Sequence, residues 1–492
     1  MPSPRSPFSP RSGRPRAVSL ALLGALTLGA LGGSAAVVGP ATAVGLASGI
    51  LTEPEGGPGA GDAYFPLDGN EGIDVLRYDI HDTYTFHDRR LTGWTELRLR
   101  ATRDLSSFDL DLLLPVQVVK VDGVTVDHTK PSRHELRVEA PIVTGTTYHV
   151  LVRYGGHPGG ISYAGERNWL ASDREVVAMN EPHMAPWWFP ANDHPSDKAV
   201  MDINITAPLD KVVVANGRLL GRKVHGNRAT TRWHAPEPMA SYLAFFAAGH
   251  FEVAHGTRDG LPWYVAVSKR IPQQERRASM RLMKQTSVLT AWLQSQLGDY
   301  PFSETGGLTT SLNPGFALEN QTRPTYPELS SDGLTTVVHE LAHQWFGDSV
   351  AIAQWRDIWL NEGFATFMEV RYAETHGGQS GQNWLRNWYD YYASNAGFWQ
   401  LRVDDPGAGH IFDYPIYQRG AMTLQALRHR IGSADFWHLL RKWARTRAGG
   451  NGSSAEFEAL AAQVSGEDLG TFFDAWLRGD SPPAPTAANG LR

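Results

Sequence analysis

His339-Glu340-Leu341-Ala342-His343 opens the stretch HELAHQWFGDSVAIAQWRDIWLNEGF, which runs to Phe364 and carries a further acid in Asn361-Glu362-Gly363. On a helix, residues four apart share one face, so His339 and His343 stand one turn over the other and can hold a single ion between them. Glu340 is offset from that pair and can lean over the position left to water, where this motif puts a general base. Trp359 to Met368 has apolar residues at Leu360, Phe364, Phe367 and Met368, the spacing of an amphipathic helix, so Glu362 comes from a second helix packed beside the first. Two His and one carboxylate leave one position open, as in a catalytic zinc site. Structural zinc sites close all four positions with Cys and His, and this chain has no Cys.

At 492 residues the chain implies two or three domains. Arg5, Arg11, Arg14 and Arg16 precede an uncharged run from Ala17 to Val38, and Ala41-Thr42-Ala43 offers a small-x-small cleavage site. Residues 1–43 therefore read as a secretory signal peptide and the protein as extracellular, with an uncleaved membrane anchor as the alternative. Once the signal is cleaved, no stable membrane insertion is expected. Its removal takes four Arg and no acid, which moves the formal charge from −6 to −10 and argues against a nucleic-acid partner. Residues 44–72 are rich in Gly and Pro and read as a flexible linker.

From residue 73 to 255 the pattern is that of strands. Leu97-x-Leu99 and Phe108-x-Leu110-x-Leu112 alternate with polar residues, and Asp122-Gly123 marks a turn, which together indicate an antiparallel β domain. From 256 to 482 the period becomes helical. Met280, Leu282, Met283, Val288, Leu289, Trp292 and Leu293 predict a helix over 273–297, and more helices are predicted at 420–430, 434–447, 455–464 and 469–477. Residues 483–492 read as a disordered tail. The sixteen Trp are read as core filling rather than as a carbohydrate platform.

With these segments in view, residues 75–480 resemble the M1 family of zinc aminopeptidases, the gluzincins that include aminopeptidase N and leukotriene A4 hydrolase. The resemblance implies an α+β multidomain fold, with a saddle-like antiparallel N-terminal domain followed by a mainly helical thermolysin-like catalytic domain. It also implies a short form without the C-terminal domains of larger members. By the match to HExxHxWFGxxV and WLNEGFA, the zinc ligands are His339, His343 and Glu362, with one Zn2+ per chain, and the base is Glu340.

Phe316-Ala317-Leu318-Glu319-Asn320 is similar to the family's GxMEN, which puts Glu319 on the carboxylate that binds a substrate's free α-amino group. Phe316 and Leu318 depart from the family's Gly and Met, which implies a narrower strand edge beside the substrate. The segment from Met179 to Pro195 echoes the family more weakly and places Glu181 as a second amino-terminal anchor, although Pro186 stands where an Arg is usual. Tyr417-Gln418-Arg419-Gly420 is similar to YxKG, with Tyr417 as the oxyanion donor and Arg419 keeping the charge of the family's Lys. Asp348, Asn361 and Asp357 are candidates to orient the imidazoles, while His183 and His194 show no ligand spacing.

The function implied is hydrolysis of the N-terminal bond of peptides that have a free N-terminus. The alternatives are a thermolysin-like metalloendopeptidase, or a non-catalytic peptide-binding protein on the same scaffold.

Overall fold

The computed structural model describes residues 54–492, so the signal segment and the first part of the linker lie outside the described residues. An eight-stranded sheet is the largest of the N-terminal half, with strands in the spatial order Arg218–His225, Arg228–Ala240, Lys198–Pro208, Ile73–Thr85, Arg90–Ala101, Thr147–Gly156, Val116–Val121 and Val124–Val126. Its neighbours are antiparallel except at the centre, where Ile73–Thr85 runs parallel to Lys198–Pro208 with Tyr78 opposite Met201 and Ile80 opposite Ile203. The predicted alternation buries Leu97 and Leu99 on one face.

At Phe108–Asp111 the alternation fails, because Asp109 and Asp111 are as fully buried as Phe108 and Leu110. This strand belongs to a separate three-stranded sheet with Glu135–Val138 and His128–Thr129, and both its faces are buried. The buried polar residues must then find partners inside the protein.

The second half starts at Phe251 rather than at 256, because the hairpin Phe251–Arg258 with Leu261–Ser268 pairs in parallel with Thr305–Thr309 and so belongs to that half's four-stranded sheet. Nine α-helices are described: α1 (Gln273–Leu297), α2 (Leu334–Ala342), α3 (Trp359–Thr375), α4 (Gly381–Tyr392), α5 (Ala396–Gln400), α6 (Tyr414–Ile431), α7 (Ser433–Thr446), α8 (Ser454–Ser465) and α9 (Gly470–Phe473). The apolar spacing read in 273–297 coincides with α1, which stops at Gly298 with φ +99°. Ser453 and Glu456 form a reciprocal capping box that starts α8. None of the described helices is long and apolar enough to cross a membrane.

Two segments read as loose are tied down. Among residues 54–72, Gly56 N donates to Ser107 O at 2.8 Å and Gly59 N to Gly69 O at 2.7 Å, while buried Asp62 accepts the Trp355 N–H at 2.7 Å. The glycines that suggested flexibility instead supply turns at positive φ, at Gly59 (+87°) and Gly69 (+72°). The tail docks on α6: Arg430 donates to Ala488 O at 2.7 Å, Trp476 Nε1 donates to Asn489 O at 3.1 Å, and Leu491 is buried. Its small and polar residues hid that contact because backbone carbonyls make most of it.

Candidate active site

The first imidazole pair sits on the last turn of α2. His343 lies just past Ala342 but keeps helical dihedrals (φ −57°, ψ −26°), so the two rings stay on one face, edge to face at an interplanar angle of 71° with centroids 4.8 Å apart. Glu362 comes from the first turn of α3, where the positive end of the helix dipole favours a carboxylate. Phe346 and Phe364 pack at 4.7 Å between centroids and hold the two helices together.

His339 Nε2 lies 3.2 Å and His343 Nε2 3.5 Å from Glu362 Oε2. Each Nδ1 is engaged elsewhere, at 2.8 Å from Glu369 Oε1 for His339 and as a donor at 3.0 Å to Phe346 O for His343. Both Nε2 atoms are therefore directed at one point beside the carboxylate. Two nitrogens and one oxygen, oriented by partners behind the rings, suit a divalent transition ion with one position left open.

Acid crowds this point. Glu319, Glu340 and His343 offer ligand atoms within 4.8 Å of one another, so Glu319 and Glu340 both adjoin the metal-binding trio. Burial pushes Glu340 up to about 8 against the opposing pull of His339 and His343, and it raises Glu319 as well. Glu181 and Asp348 are driven up first by burial and then by Glu319. Glu362 alone goes the other way, because His343 and the hydrogen bonds from both rings outweigh burial and hold it at about 2. Such a pocket is short of positive charge, which a dication and a substrate ammonium would both supply. Glu319 Oε1 and Glu181 Oε1 are buried with no hydrogen-bond partner.

Tyr417 lies within α6, which begins at Tyr414, earlier than the predicted 420. Its ring stacks against His339 at 6.1 Å between centroids. The approach depends on two glycines, since a Cβ at Gly420 would lie 2.8 Å from Gly363 Cα and one at Gly363 would lie 2.9 Å from Gly420 Cα. Arg419 does not take the part of a free charge near the substrate. It is fully buried and donates to the carbonyls of Trp476 (2.6 Å), Trp399 (2.7 Å) and Gly479 (2.7 Å), which ties α6 to the C-terminal turns.

Two family models match the chain, the Peptidase family M1 domain over residues 304–476 and the Peptidase M1 N-terminal domain over 159–243. The chain belongs to peptidase family M1. It is 27% identical over 341 residues to Aminopeptidase M1 of Arabidopsis thaliana, covering 63% of this chain and 38% of that protein. It is 23% identical over 452 residues to Tricorn protease-interacting factor F2 of Thermoplasma acidophilum, covering 84% and 54%. The chain thus spans about half or less of these curated relatives. By contrast, the solved M1 zinc metallopeptidase of Deinococcus radiodurans matches over 99% of its own chain and 87% of this one, with a TM-score of 0.78 and 27% identity.

Within this M1 site, the structure brings His339, His343, Glu362, Glu340, Glu319 and Tyr417 together around one point. Glu181 joins them from the β half as a buried group under their electrostatic influence. Of the residues expected to orient the imidazoles, Asp357 instead caps α8, accepting from Ser454 N at 2.9 Å and Ser454 Oγ at 2.7 Å. The side chains of Asp348 and Asn361 make no hydrogen bond. The group behind His339 is Glu369, seven residues and so two turns after Glu362 on the same face of α3, a spacing readable in the sequence.

Gln344 was also missed. Its Oε1 accepts from Thr322 N at 2.7 Å and its Nε2 donates to Glu319 O at 2.9 Å, fastening the Glu319 loop to the residue after His343. Nothing in its sequence context marks it. His183 and His194, read as surface or core, are both buried, with His183 Nδ1 2.6 Å from Asp68 Oδ2.

Proposed function

We propose that the chain is a zinc aminopeptidase that hydrolyses the N-terminal bond of peptides, with His339, His343 and Glu362 holding one Zn2+. The observation that carries this reading is Glu319, a buried carboxylate with an unpartnered oxygen, set beside the base and a metal-site imidazole. When bound, zinc supplies Lewis acidity that lowers the pKa of water and polarises the scissile carbonyl. Glu340 takes the proton of the attacking water and passes it to the leaving amine. The Tyr417 hydroxyl donates to the developing oxyanion, an interaction typically worth about a hundredfold to a thousandfold in rate.

Glu319 and Glu181 hold the substrate ammonium. A fixed distance from that anchor to the metal selects the first bond. A bound Tyr-Ser-Ala substrate in a mutant of the Deinococcus enzyme, which matches with a TM-score of 0.77, supports a peptide as the ligand class. Secretion is part of the proposal and rests on the arginines and the apolar run of residues 1–43; N-terminal sequencing of protein recovered from the medium tests it.

The mechanism is tested with Glu340→Gln. The variant should keep its zinc and lose nearly all turnover on an aminoacyl amide, and chelation should silence the unmodified enzyme. Retained turnover in Glu340→Gln would overturn the assignment of the base.

A further inference from the structure

The strands Phe108–Asp111 and Glu135–Val138 pair antiparallel, with Asp109 opposite Arg137 and Asp111 opposite Glu135. The first pair is complementary: Arg137 donates from Nε to Asp109 Oδ1 at 2.9 Å and from Nη2 to Oδ2 at 3.0 Å. The second sets two carboxylates directly across a ladder, an arrangement that like-charge repulsion disfavours. Neither has water to screen it, for Asp111 is 0% and Glu135 2% exposed.

His134 is also fully buried, and its Nδ1 stands in the gap, 3.0 Å from Glu135 Oε1 and 3.4 Å from Asp111 Oδ1. Asp111 Oδ2 is satisfied by the backbone N–H groups of Gly69 (3.1 Å) and Asp193 (2.6 Å), but Oδ1 has no hydrogen-bond partner, and neither has Glu135 Oε2. The neighbouring ammonium of Lys130 donates to Leu112 O rather than to either acid. This buried register pair of acids has unpaired oxygens and an imidazole turned between them, and among the described residues no Lys or Arg forms an ion pair with either carboxylate.

The geometry points to a second metal site in the N-terminal half, in which Asp111, His134 and Glu135 hold a transition dication of the zinc type. Ligand atoms about 2.1 Å from a tetrahedral ion stand about 3.4 Å apart. The trio's 3.0 and 3.4 Å compare with 3.2 and 3.5 Å in the active-site trio. One nitrogen with two carboxylates suits zinc or manganese, whereas calcium takes six to eight oxygens.

The consequence is structural. Asp111 exchanges backbone hydrogen bonds with Ala191 at 2.8 and 3.0 Å, and Leu113 N donates to Pro186 O at 2.8 Å. An ion here would therefore stiffen the segment that descends from Glu181, together with the 54–72 strap held through Gly69. Because the trio is closed to solvent, the ion would enter as the chain folds and leave only when the domain opens.

The test is total metal content by plasma mass spectrometry on protein purified from cells. About two equivalents are expected in the unmodified enzyme and about one in His339→Ala/His343→Ala, the latter freed to pyridylazoresorcinol only after denaturant is added. His134→Gln should lose one equivalent and keep the other, with a lowered Tm, and Lys130→Met should keep both. If His134→Gln fails to fold, the active-site double variant decides alone. A metal-free double variant, or complete loss of metal to chelator in the native state, would overturn the site. Neither readout depends on peptidase turnover, so this inference and the proposed function can fail separately.

Discussion

Gly420→Ala perturbs the contact that sets Tyr417 against the metal-site residues. The new Cβ would lie 2.8 Å from Gly363 Cα. Carbon atoms rest about 3.5 to 4.0 Å apart, so α3 and α6 must part by about 0.7 Å or more. Glu362 directly precedes Gly363, and Tyr417 lies one turn before Gly420, so this displacement falls on the spacing between the Tyr hydroxyl and the reacting carbonyl. A hydrogen bond of about 2.8 Å would stretch to about 3.5 Å, past effective range. Losing an oxyanion donor costs about a hundredfold to a thousandfold in kcat. Overpacking costs about 1 to 3 kcal/mol, a Tm loss of several degrees.

Glu319 sits on a loop outside both helices, so KM should move only a few-fold. The assay is kcat and KM on an aminoacyl anilide for the unmodified enzyme, Gly420→Ala, Tyr417→Phe and the double variant. If the glycine acts through the tyrosine, the double variant is no slower than Tyr417→Phe alone. An unchanged kcat in folded Gly420→Ala, or losses that multiply in the double variant, would show that the glycine contact does not position Tyr417.

Gln344→Leu removes the two side-chain hydrogen bonds that fasten the Glu319 loop and leaves buried backbone groups unpaired, each at about 1 to 3 kcal/mol. KM for free-amine substrates should rise about tenfold or more with zinc content unchanged; an unaltered KM would show that the loop is held by other contacts. Asp193 is buried, and burial, reinforced by Asp68, raises its carboxyl to about 7 from an ordinary 3.8. A raised folded pKa contributes stability that is full below about pH 4 and is lost as pH climbs through 7, an effect of at most about 4 kcal/mol. Asp193→Asn should therefore show a shallower fall of Tm between pH 4 and 8 than the unmodified protein, and parallel curves would count against that titration.

How much of this was legible in the chain depends on where each signal resides. The periodicity of 273–297 and the spacing from His339 to Glu362 are local, and local spacing passes directly into helix faces. Glu369 was readable by the same arithmetic, two turns beyond Glu362, but a lone Glu on a helix suggests solvent until its partner is known. Gln344, the Gly363 and Gly420 contact and the buried role of Arg419 depend on which elements meet, which one-dimensional spacing does not carry. Residues 54–72 and the tail are held by partners distant in sequence, Asp62 by Trp355 and the carbonyl of Ala488 by Arg430, and local composition does not report such partners. Asp109 and Asp111 occupy the polar positions of an alternating strand and so read as solvent-facing, yet the strand is buried on both faces and only Asp109 is paired with an arginine.

The proposed hold of Glu319 and Glu181 on a substrate's free ammonium would limit the enzyme to the first peptide bond. It is tested most directly by comparing kcat/KM for a short peptide and its N-acetylated form, with the products identified by mass spectrometry. The free peptide should release its first residue, and the acetylated one should show no detectable cleavage. Cleavage of the acetylated peptide at a comparable rate, or at an internal bond, would contradict it and mark the chain as an endopeptidase.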